Sequence, residues 1–135
     1  MTVQDFIDLY NTYEGEAENI ELEITEYVPF AQKVDLCRAI IEDSTYDKDK
    51  NFKMNSALRN VLYRMVLVDT YTNIDIDFGN AVKEYDLLES EYALTTLLSQ
   101  IDEEEIRRFD EIMQCELNDL YQNERSHAAI ARRNG

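Results

Sequence analysis

The sequence predicts an all-α single domain of about five to six helices, packed around one buried helix over residues 56–72. Three observations lead there. The 135 residues include 3 Gly and 1 Pro, too few for an all-β sandwich that turns every ten residues or so. Apolar residues recur at steps of three and four in most windows. The stretch Asn55 to Thr72, NSALRNVLYRMVLVDTYT, is apolar almost all round its middle turns, as in a helix buried on more than one face. The apolar fraction, 44%, is ordinary for a chain that buries a core.

The elements follow in order. Thr2 is placed to cap a first helix, with Asp5 in the capping-box position. Val3, Phe6, Ile7, Leu9, Tyr10 and Tyr13 form its inner face, and Gly15 ends it. In EAENIELEITEY, Ile20, Leu22 and Ile24 alternate with Glu21 and Glu23 like a strand, while Ile20, Ile24, Tyr27 and Val28 fit a helix. Helix is preferred, because a lone short strand has no partner here. Pro29 suits the first turn of a helix running to about Asp43, with Phe30, Val34, Cys37, Ile40 and Ile41 on one face. Ser44 to Lys53 is a polar connection, and Asn55 or Ser56 caps the main helix. NIDIDFG then buries Ile74, Ile76 and Phe78. Asp77 caps a helix to about Leu88, carrying Ala81, Val82 and Tyr85, and Ser90 to Ser99 forms another with Tyr92, Leu94, Leu97 and Leu98. Asp102 and Glu105 read as a second capping box, opening a last helix with Ile106, Phe109, Met113, Leu117 and Leu120 inward. The domain division is 1–124, helical, and 125–135, a short basic tail.

The net charge is −16 and the pI about 4.2. Such a balance argues against direct binding to nucleic acid, whose affinity comes from cations on phosphates. It argues equally against anionic membranes and suits a basic protein partner. No window approaches the roughly eighteen apolar residues of a membrane span. MTVQDFIDLY lacks the cationic and apolar regions of a signal peptide. Elimination points to the cytoplasm. Cys37 and Cys115 fall on apolar helix faces, which predicts two buried free thiols.

Candidate chemical sites mostly fail on their own requirements. Asp47, Asp49 and Asn51 open like a calcium loop, but Phe52 stands where the sharp turn needs Gly and Leu58 where a bidentate Glu is needed. Asp75 and Asp77 share one side of an extended segment, with Asp77 better read as a helix cap. One histidine, His127, with two distant cysteines makes no zinc set and no triad. No metal, cofactor or catalytic set is expected, so the chain reads as a non-enzyme. The nine tyrosines read mostly as core filling with hydroxyls at the boundary.

Charge distribution is the most informative feature. Residues 1–26 hold eight acids and no Lys or Arg, and the first base is Lys33. Glu14, Glu16, Glu18, Glu21, Glu23 and Glu26 are the candidate partner-binding face. In extended backbone, alternate residues stand about 6.6 Å apart; on a helix, Glu14, Glu18 and Glu21 would line one side about 5–6 Å apart. A row at such spacing is able to imitate a phosphate backbone in a groove built for nucleic acid. The commoner meaning of a charge run is a solvated face.

The segments YVPF (Tyr27 to Phe30), NSALRNVLY (Asn55 to Tyr63) and VDTYTNIDIDF (Val68 to Phe78) resemble those of small acidic proteins encoded by phages and prophages of low-GC Gram-positive bacteria. The resemblance spans about Phe6 to Leu120, and its motifs are structural, so it carries no site residues over. It implies a phage origin and two functional expectations. One is an anti-defence protein that binds and inhibits a basic nucleic-acid-handling host protein, such as a CRISPR or restriction nuclease, by DNA mimicry or by blocking its surface. The other is a structural or virion-assembly factor.

Overall fold

The computed structural model describes the backbone of residues 1–134 and the side chains of residues 1–123 except residue 17. The fold is an all-α single domain of six helices: α1 (Val3–Thr12), α2 (Phe30–Thr45), α3 (Ser56–Tyr71), α4 (Ala81–Ser90), α5 (Ala93–Ser99) and α6 (Glu103–Asn134). Short 3₁₀ turns lie at Ala17–Asn19 and Phe78–Asn80. No β-strand occurs among the described residues, although isolated bridges join Thr2 to Asp75 and Tyr46 to Phe52. No helix among them is long and apolar enough to cross a membrane. The side chains of the expected basic tail, His127 included, lie outside the described residues.

Local chemistry accounts for the helix starts. Thr2 and Asp5 form the reciprocal capping box, and the Asn55 side chain accepts from the Leu58 N–H at 2.9 Å. Helix α1 ends in a turn whose left-handed residue is Glu14, at φ 54, with the Gly15 N–H returning to the Tyr10 carbonyl and that of Glu14 to the Asn11 carbonyl. Asp77 caps the 3₁₀ turn through the Gly79 N–H, and α4 begins only after it, later than the expected Phe78.

The core has two parts. Cys37, Ile40, Ile41, Leu62, Val66, Tyr71, Phe109 and Met113 join α2, α3 and α6. Phe6, Ile7, Ile20, Met65, Val68, Leu88, Leu94 and Leu97 join α1, α3, α4 and α5. Helix α3 supplies both from opposite faces, and its buried side chains run from Leu62 to Tyr71. Six expected inward residues are instead exposed: Leu9, Tyr13, Phe30, Phe78, Val82 and Tyr92. Cys115 is also exposed, so one free thiol is buried and one is not.

Residues 20–29 correct the expectation of a second helix: apart from one bend they carry no regular structure, and they form an extended strap. The strap needs no partner strand, because helix ends satisfy it. The Thr25 N–H donates to the Tyr71 carbonyl (2.8 Å), that of Glu23 to Asn73 Oδ1 (3.2 Å), and that of Val28 to Glu105 Oε1 (2.8 Å). Ile20 and Val28 are buried at its two ends while Glu21, Glu23 and Glu26 face solvent. The alternating pattern therefore reflects extended backbone with one side inward.

Candidate functional site

The six glutamates of the expected face, Glu14, Glu16, Glu18, Glu21, Glu23 and Glu26, are all exposed, as are Asp5 and Asp8. Two kinds of backbone carry the six. Glu14 sits in the left-handed region at φ 54, between α1 and the first 3₁₀ turn, with Glu16 and Glu18 close behind it. Glu21 and Glu23 project from the strap, with a tight turn at Glu21 closed by the Leu22 N–H on the Ile20 carbonyl (3.0 Å). The single helical row through Glu14, Glu18 and Glu21 does not form, because only Ala17–Asn19 is helical there and as 3₁₀.

Counter-charges are absent from this face among the described residues. Every Lys or Arg ion pair described uses an acid at position 42 or later: Glu42, Asp47, Glu104, Glu105, Glu111 or Glu116. Local hydrogen bonds engage three of the N-terminal acids, Asp8 accepting from Gln4 Nε2 at 2.9 Å. Glu16 accepts from Asn19 Nδ2 at 2.9 Å. Asp5 accepts from the Thr2 N–H, which with the Thr2 hydroxyl holds its carboxyl below the ordinary value. The first 32 residues thus hold half of the net charge of −16, all of it solvated.

What fixes the strap is a buried ion pair that the sequence reading missed. Lys33 Nζ donates to Glu105 Oε2 at 3.0 Å, and both side chains are 3% exposed. Glu105 Oε1 accepts from the Val28 N–H and from the Tyr71 hydroxyl at 3.1 Å. One carboxylate thereby ties the strap, α2, α3 and α6 together. Burial raises the Glu105 carboxyl, but the three accepted hydrogen bonds and the Lys33 charge outweigh it and leave the group below the usual range. Burial, with the neighbouring Glu105, pushes the Tyr71 hydroxyl well up. Lys33 also lies 4.9 Å from the ring centre of Tyr27. The capping-box reading of Glu105 is therefore corrected. Asp102 alone accepts at that helix start, from the Glu104 N–H. A signal was present: Glu105 precedes Phe109 by four and Lys33 precedes Cys37 by four, which puts opposite charges on two apolar stripes.

The remaining candidates resolve into local structure. Asp47 Oδ1 accepts from the N–H groups of Asp49 and Asn51, both at 2.9 Å, so the carboxylate closes its own loop. Asp77 is occupied with Gly79 and Asn80. No group of three or more His, Cys, Asp or Glu among the described residues is placed to hold a metal ion. Cys37 is raised to about 12, by burial first and then by Glu116 and Asp110. Comparison with protein-family models, curated proteins and solved structures found no match.

Proposed function

We propose that this chain is a non-enzymatic, phage-derived binding protein that inhibits a basic nucleic-acid-handling host protein in the cytoplasm. Its acidic N-terminal surface occupies the partner's cationic groove in place of phosphates. One observation carries the reading: eight acidic side chains within the first 26 residues are solvent-exposed, and no Lys or Arg pairs with them among the described residues. Unneutralised charge of one sign raises the rate of encounter with an oppositely charged groove and falls in effect with salt. The strap adds support, since anchoring at residues 23, 25 and 28 holds Glu21, Glu23 and Glu26 on a fixed backbone. A pre-ordered surface loses less conformational freedom on binding.

The test replaces Glu14, Glu16, Glu18, Glu21 and Glu23 together by Gln, which keeps shape and removes charge. Parent protein is used to capture its partner from host lysate, and the partner is identified. Double-stranded DNA should release it. The five-Gln variant should bind it at least tenfold more weakly, about 1.4 kcal/mol, with its melting temperature kept or raised. Unchanged affinity, or a ternary complex with DNA still bound, rules out phosphate mimicry.

A further inference from the structure

A groove opens between α2, α3 and the start of α4. Its larger part, about 780 Å³, is lined by Leu58, Leu62, Phe78, Ala81 and Val82. A hollow of about 210 Å³ extends it toward Leu36 and Val66, and Asp43, Leu62 and Phe78 line both parts. Phe78 is 44% and Val82 50% exposed. Both break the inward pattern expected of them.

The rim decides what fits. Asp43 and Asp86 stand in its larger part and Asp69 at its extension, all exposed, against the single base Lys83. None of the three acids forms an ion pair among the described residues. A second copy of this chain would bring the same acidic rim and a further net charge of −16, so self-association is opposed. A channel between helices is the complement of one apolar helical stripe at i, i+3, i+4 and i+7. We propose that the groove docks a basic amphipathic helix of a partner protein. Its apolar stripe lies on Leu58, Phe78 and Val82, and its Lys or Arg flanks face Asp43, Asp69 and Asp86. This surface shares no residue with the 14–26 face, so either reading stands or falls without the other.

The test uses the full chain and three labelled peptides of about five helical turns, roughly 18 residues. One is a basic amphipath with Leu at i, i+3, i+4 and i+7. The second is its acidic twin, and the third is a scramble of the basic one. The basic amphipath should bind saturably and shift backbone amide resonances of α2, α3 and α4. The twin and the scramble should each bind at least tenfold more weakly. Val82→Glu should weaken the basic amphipath at least tenfold with no change in melting temperature, and Asp43→Lys with Asp86→Lys should do the same. Equal binding of the scramble would reduce the effect to charge alone, and equal binding of the twin to apolar contact alone. Either overturns the proposal. So would shifts confined to residues 14–26, a dimer of the free protein closed through Phe78 and Val82, or no binding.

Discussion

Replacing Lys33 by Met keeps the length and apolar stem of the side chain and removes the cation from Glu105. The carboxylate then retains the Val28 N–H at 2.8 Å and the Tyr71 hydroxyl at 3.1 Å. Arg108 stands 3.7 Å from Oε2 with its own side chain half exposed, too far to replace the lost hydrogen bond. Removing one member of a buried pair costs about 3–5 kcal/mol, because the survivor is left uncompensated. A domain has about 5–15 kcal/mol in all. At about 3–4 °C per kcal/mol for a chain of this size, Lys33→Met should melt roughly 10–20 °C below the parent at pH 7. Adding Glu105→Gln should restore part of the loss, since a neutral amide oxygen still accepts from Val28 and Tyr71. The pH dependence has a definite sign. The folded Glu105 carboxyl lies below the usual 4.5. The stabilisation is therefore complete above about pH 4.5 and lost as pH falls through the lower, folded value. In Lys33→Met, burial dominates and the carboxyl takes a proton readily, so the gap to the parent should narrow in acid. Thermal melts across this range decide the matter. A variant melting within about two degrees of the parent at pH 7, or a gap that widens in acid, would show that the Lys33 charge is not what stabilises Glu105.

Met65 is fully buried in the α1, α3, α4 and α5 core, so Met65→Ala should cost about 2–5 kcal/mol by chemical denaturation. A loss below about 1 kcal/mol would mean that this core closes around the gap. Tyr92 is 84% exposed and held at φ 57 between α4 and α5, where a side chain is strained. Tyr92→Gly should leave stability unchanged or raise it by up to about 1 kcal/mol. A marked loss would show that the ring, and not the backbone turn, matters there.

Much of the fold was legible because it is local. The Thr2–Asp5 box and the Asn55 cap are written within three or four residues of where they act, and the structure shows both of them. The strap was misread because its conformation is decided from outside. Its hydrogen bonds go to Tyr71, Asn73 and Glu105, far away in sequence. Glu105 itself matched a cap pattern and an apolar stripe at once, and the distant Lys33 settles which applies. Phe78 and Val82 fit an inward helical face, yet the groove beside them is left open. The acidic face was legible as composition and exposure. Its layout was not, since it depends on the strap.

The attachment of the strap also orders the assembly of the molecule in time. From α2 to α5, each helix meets the next in sequence across a short connection, whereas α2 also packs on the distant α6. The strap likewise closes loops of 50 residues to Asn73 and 77 to Glu105. Contacts that far apart gain nothing until the chain between them has collapsed, so they come late. The Lys33–Glu105 pair spans 72 residues and belongs to the same closing step. The segment bearing Glu21, Glu23 and Glu26 is thus committed late, together with the packing of α2 on α6, where Cys37 meets the Phe109 carbonyl 72 residues on. Its carboxylates repel one another throughout, and the clasp at Glu105 holds that repulsion in one finished shape.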